Sequence, residues 1–170
     1  MPRPDLSRVP EWYHGYIKAA EGEDLTAMLH NQQQTVTAFL ASIPEDMRDY
    51  RYAPGKWTIR DLVQHINDGE RVFAYRSLSF ARFDPAPLPG FDENDWADNS
   101  GASTRNWDDL VAEFKSLRES SVLLFKSFSE AQLEASGTAS DKSNYVRAFG
   151  FIMVGHLEHH VKIIKERYLS

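Results

Sequence analysis

Residues 155–168 read GHLEHHVKIIKERY, and three of the chain's six histidines fall within five of these positions. The stretch belongs to a segment with helical period. An α-helix turns about 100° per residue. With His156 at zero, Phe149, Ile152, Met153, His160 and Ile163 lie within about 60° of it. Glu158, Lys162, Lys165 and Glu166 fall on the opposite side. His156 and His160 therefore share the apolar face one turn apart, whereas His159 sits at the boundary with the charged face. The i, i+4 spacing suits two imidazoles converging on one ion. Two core histidines bonded to backbone would have the same spacing, so the pair alone leaves both readings open.

Working outward, this segment is the last of four with helical period, running from Ser143 or Asn144 to about Tyr168. The first runs from about Asp24 to Ile43 and ends at Pro44, which cannot continue a helix. The second starts at Thr58, where Thr58-x-x-Asp61 has the form of a capping box, and runs to about Phe83. The third begins near Asn106 and carries Leu110, Phe114, Leu117, Leu124, Phe125 and Phe128. SEAQL (129–133) reads as a short extra turn. Alternating β-branched runs are missing, so strands are not expected. These segments predict an all-α four-helix bundle in one domain spanning 1–170. Residues 1–20, rich in proline and aromatics, form an arm that closes over the bundle or joins a dimer interface.

The connection FDPAPLPGFDENDWADNSGASTR (83–105) sets the topology. A stretch of about twenty residues at roughly 3.3 Å each can cross the full height of a bundle. The third helix can then run parallel to the second, giving an up-down-down-up order. That order makes the second and fourth helices antiparallel. His65 lies about seven residues from the start of the second helix, and His160 about eight from the end of the fourth. At ~1.5 Å per residue both sit roughly 11 Å from a helix end, so the register brings them level. Gly69, one turn beyond His65, leaves space beside it. His14 and His30 fall outside this set and read as surface residues.

Bulk composition narrows the function. The net charge of −6, with no basic cluster, argues against a nucleic-acid partner. Cysteine is absent, so neither disulfides nor thiolate ligands are available. Nothing in the sequence resembles a secretory signal or a membrane span, and the expected location is the cytoplasm. A three-histidine site leaves coordination positions open, which is the catalytic pattern rather than the closed structural one. Such a site can acidify a water for hydrolysis or hold a small thiol as thiolate. Zinc or nickel is the expected divalent ion, although His₃ also suits iron or copper. Around it, Gln32 occupies an apolar position and could orient a substrate or bond a backbone group. Arg76 shares the His65 stripe and could meet a substrate anion, but extension toward the bundle end is favoured. Asp61 or Asp68 could accept a ring N–H from a ligand histidine, although Asp61 already caps a helix. Trp96 could line the pocket mouth.

YAPGKWTIRDLVQHINDGERVFAYR (52–76), FDPAPLPGFDENDW (83–96) and YVRAFGFIMVGHLEHHVKIIKERY (145–168) resemble the DinB-like superfamily of metal-binding four-helix bundles, in particular its YfiT-like branch. The resemblance spans about residue 24 to the end. It implies an up-down-down-up bundle and a divalent metal held by His65, His156 and His160. Some relatives are S-transferases using small thiols such as bacillithiol or mycothiol, others are described as metal-dependent hydrolases, and many have no known reaction. The expectation is a metal-dependent enzyme acting on a small molecule, first a thiol S-transferase with a low-molecular-weight thiol as cosubstrate. A hydrolase is the alternative, and a non-catalytic metal-binding stress-response bundle a third reading.

Overall fold

The computed structural model describes all residues, 1–170. Three of the four long helices start where a side chain satisfies free N–H groups, whereas α7 starts directly from the strand before it. Helix α1 (His14–Ala19) lies in the arm, and α2 (Leu25–Ala41) follows, its first turn capped by the Asp24 carboxylate. The Thr58–Asp61 capping box forms in full and opens α3 (Ile59–Ala81). Helix α4 (Glu93–Asn99) is a short piece within the long connection, capped by Asp92. Asn106 caps α5 (Trp107–Ser127), and Ser129 with Gln132 makes a second capping box for α6 (Glu130–Leu133). The last helix, α7 (Val146–Ile163), continues through one π turn, Ile164–Tyr168.

Two features differ from the sequence expectation. A two-stranded antiparallel hairpin, β1 (Ser136–Ala139) and β2 (Lys142–Tyr145), occupies the ground where the fourth bundle helix was expected to begin. Its turn places Ser140 and Asp141 at φ 53° and 60°. A primed two-residue turn demands such angles, but Ser-Asp lacks the usual glycine, so the hairpin signal is weak. The connection after α3 pairs with this hairpin through Leu88, whose N–H donates to Thr138 O at 2.9 Å. The arm contains a helix and packs against α7 within its own chain, with Ile17 and Ala20 buried.

Contacts between helices fix their directions. Asn67 meets Leu110 and Glu70 meets Arg118, so α3 and α5 run parallel. His65 meets His156, while Phe80, farther along α3, packs on Phe149, so α3 and α7 are antiparallel. Leu25 lies beside Gly150 and Gln32 bonds Val154 O, so α2 and α7 are parallel. The bundle is therefore up-down-down-up, with the long crossover between α3 and α5.

The core falls into two apolar clusters. One takes Leu25 and Leu29 of α2, Phe73 and Phe80 of α3, Phe125 of α5 and Phe149 of α7. The other takes Val36 and Leu40, Ile59 to Ile66, Phe114, and Leu157 to Ile164. Between them along each helix lie buried polar residues: Gln32, Asn67, Glu70, Arg118 and His156. In this layer the Arg118 guanidinium donates to Glu70 at 2.8 Å and to Gln32 Oε1 at 2.6 Å.

Candidate metal centre

Helix phase puts His65 on α3 opposite His156 and His160 on α7. The Nε2 atom of His156 lies 3.0 Å from that of His65 and 3.1 Å from that of His160. The three rings supply a ligand set whose atoms all lie within 4.8 Å of one another. Two nitrogens at ~2.05 Å from one ion would stand about 2.9 Å apart at a right angle and about 3.3 Å apart at the tetrahedral angle. The two short separations fall in that interval. Hydrogen bonding serves this cluster poorly. A neutral ring offers either one proton or one lone pair at Nε2, and His156 presents that single site to two neighbours.

The surroundings keep the rings neutral. Burial pushes His65 down to about 4, with the Glu93 carboxylate opposing it. Burial, then neighbouring imidazoles, holds His156 and His160 well below the ordinary histidine value. Lone pairs are therefore available at neutral pH. Gly69 makes the close approach possible, because a Cβ there would stand 3.1 Å from His156 Cε1. The Trp57 ring packs on His65 at 4.9 Å between centroids. Its carbonyl accepts a hydrogen bond from Tyr168 at 2.6 Å, tying the end of α7 to the segment before α3. The three histidines open onto a cavity of about 470 Å³ walled by Trp12, Tyr13, Tyr16, Trp57, Phe73 and Phe91, with Arg76, Glu93 and Ser140 as its other polar groups. A larger groove of about 780 Å³ lies along α1 and reaches His159 but none of the three clustered histidines.

The other expected residues fall as follows. Gln32 is spent within the core: it donates to Val154 O and Glu158 and accepts from Arg118, so its role is structural bonding. Asp61 closes the capping box and pairs with Arg51, and Asp68 bonds Gln64; neither serves a ring nitrogen. Nδ1 of His160 is buried without a partner. Arg76 does not extend to solvent at the bundle end. It is 3% exposed and donates to Pro89 O and Ser140 Oγ, because the crossover and the hairpin cover that end of α3. Trp96 stacks on Phe91 and leaves the lining to it. His159 is exposed, and so is His30. His14 is not a simple surface residue, since its Nε2 bonds the carbonyls of Leu6 and Val9 within the arm. Sequence reasoning missed Ser140, which depends on the unforeseen hairpin, and Glu93, which lies on the short helix α4 inside the crossover.

An up-down-down-up bundle with a three-histidine cluster at its polar layer defines a class of candidate metal proteins. A match to the DinB superfamily covers residues 28–164, and the chain belongs to that superfamily. A putative metal-dependent hydrolase of Bacillus licheniformis is 31% identical over 130 residues, covering 74% of this chain and 72% of that protein. Among solved structures, YfiT from Bacillus subtilis superposes with a TM-score of 0.66 at 20% identity, covering 96% of this chain and 89% of that one. YfiT is described as a probable metal-dependent hydrolase with an unusual four-helix bundle topology. No helix of this chain is long and apolar enough to cross a membrane.

Proposed function

We propose that this chain is a divalent-metal-dependent enzyme, with His65, His156 and His160 as ligands and hydrolysis of a small molecule as its leading reaction. The observation that carries this reading is the convergence of three neutral Nε2 atoms on the wall of the 470 Å³ cavity. Zinc and nickel are the ions proposed. Neutral ligands leave the cation its full charge, so when bound it supplies Lewis-acid polarisation and makes a nearby water or thiol more acidic. The chain's own groups would do the rest. Tyr16 and Phe73, whose rings lie 5.5 and 5.6 Å from that of His156, shield the histidines from bulk water. Glu93 is the one carboxylate of the lining and takes up the proton released when water adds to a substrate. The names of the similar Bacillus proteins support hydrolysis.

Transfer of a small thiol to an electrophile is the second reading. It is favoured by the size of the cavity, which leaves room for two reactants side by side. The test begins with elemental analysis of the purified protein. Ester, amide and phosphoester substrates are then assayed beside thiols paired with monochlorobimane, before and after chelation. A chelator-sensitive hydrolytic rate, lost in His65→Ala, supports the leading reading. A metal-dependent rate with thiols alone moves the assignment to S-transfer. Bound metal with neither rate returns the non-catalytic alternative.

A further inference from the structure

Four arginines are buried in this molecule: Arg60, Arg76, Arg118 and Arg147. Three of them are paired with carboxylates, Arg60 with Asp49, Arg118 with Glu70, and Arg147 with Glu130 and Glu134. Arg76 is the exception. It is only 3% exposed, yet its sole partners are neutral: Pro89 O at 3.1 Å and Ser140 Oγ at 2.9 Å, both served by Nη2. Its Nε and Nη1 have no acceptor in the protein. A guanidinium cannot shed its proton to escape burial, and buried charges are normally paired. The unpaired cation lies on the wall of the cavity that holds the three histidines.

Its position follows from the helix. Arg76 lies eleven residues after His65, about 20° around α3, and so on the same stripe. Gly69, which faces His156, is seven residues before it, or about 10 Å of axial rise. Side chains on a helix lean toward its N-terminus, so the guanidinium tilts back toward the histidines. The hairpin turn completes the arrangement. Ser140 sits at φ 53°, an unfavourable angle for serine, and its N–H is held by Leu88 O at 3.1 Å. Its Oγ accepts from Arg76, which leaves its own O–H free to donate.

We infer that Arg76 and the Ser140 hydroxyl form an anion-binding subsite at one end of the cavity, and that the substrate is a small organic acid whose carboxylate docks there while its reacting group lies at the histidines. Nη1–H and the Ser140 O–H are the donors to the carboxylate, a charge-assisted arrangement. Phe73 and Tyr13, which also line the cavity and pack edge to face at 6.2 Å, meet the apolar middle of the molecule. This subsite rests on the proposed enzymatic reading for its purpose, but its binding does not require the metal.

The test compares hexanoate and 4-phenylbutyrate with their primary amides by calorimetry, on metal-loaded and on chelated protein. Both forms of the wild type should prefer the acid, and Arg76→Met should weaken acid binding by roughly 10- to 100-fold while leaving amide binding and metal content unchanged. Ser140→Ala should weaken it severalfold with the fold undisturbed, which keeps the test decisive if Arg76→Met fails to fold. Equal binding of acid and amide overturns the inference. So does an acid preference that survives Arg76→Met and disappears on chelation, because the carboxylate would then be bound at the metal. Failure of the metal reading is distinguishable: no ion is found, yet the Arg76-dependent acid preference persists.

Discussion

His159 serves as a built-in control for the histidine trio, since it is adjacent to His160 in sequence but its ring packs on Tyr16 outside the cluster. Replacing His65, His156 or His160 with alanine should lower metal affinity by more than about 100-fold, since each change removes a ligand and not merely a group that orients one. His159→Ala should leave affinity unchanged. Titration of zinc or nickel into each variant checks both statements, and a reversal between His156 and His159 would overturn the assigned helix phase. Protonation adds a second prediction for the chelated protein. His65 falls from 6.5 to about 4 on folding because of burial, so between those values the unfolded chain binds a proton that the folded chain does not. Stability should therefore be level above about pH 6.5 and decline as pH drops toward 4, with His65 contributing at most about 3 kcal/mol. His156 and His160, shifted in the same direction, add to the decline. Urea midpoints at pH 7.5 and pH 5 measure it. The loss should be smaller in His65→Gln, and an equal loss would place its origin in the other two histidines or in carboxylates instead.

Among the elements, the arm helix α1 depends on a glycine in another helix. A Cβ at Gly155 of α7 would lie 1.8 Å from the Tyr16 carbonyl oxygen, so α1 can seat only against a residue without a side chain. Gly155→Ala should lift the arm from α7 while the bundle stays folded, and hydrogen exchange should rise across residues 14–20. Unchanged protection there would mean that α7 shifts instead. Sequence could not reveal this contact, because a glycine inside a helical pattern signals only a small local penalty, not the backbone it admits. Elements whose ends are specified locally were legible. Thr58 with Asp61 caps the helix that its spacing suggests, and Asn106 and Ser129 cap the helix and the short turn expected to begin near them. The hairpin was not, since its two strands are each four residues long and its turn places Ser and Asp at positive φ. It also pairs with Leu88, 51 residues before Ala139, and no local pattern reports such a pairing. Ser140 was missed for the same reason, and with it the partner that holds Arg76 away from solvent.

Across the whole molecule, the candidate site lies in a polar layer between two apolar clusters, and this arrangement governs stability as well as chemistry. The level of the histidines could be read from the sequence, because helix length and antiparallel order place His65 opposite His160. The Arg118–Glu70 pair could not, since a charged residue within a helical pattern reads as solvent-facing and gives no sign of the partner it meets on another helix. On α5 the sequence favoured Leu117 and Leu124 as core, yet both are half-buried while Arg118 is 1% exposed. Arg118→Met should cost about 3–5 kcal/mol in urea unfolding, because it leaves the Glu70 carboxylate buried without its partner. Adding Glu70→Leu should recover much of that loss, and failure to recover it would make Arg118 essential through its bonds to Gln32 and Met153 O. Removing the metal should affect the molecule differently. Each apolar cluster spans all four long helices, one with 23 buried residues and the other with 15, so neither depends on the ion for its packing. The three histidines are neutral when buried, so no stranded charge remains in the layer after chelation. Stabilisation by the ion is then a mass-action term, about 2.7 kcal/mol when free metal is 100 times its dissociation constant. The chelated protein should keep its helical circular dichroism at room temperature and melt in one cooperative step, with a Tm that rises as metal is restored. Loss of helical signal on chelation would place the ion among the elements that hold the bundle together.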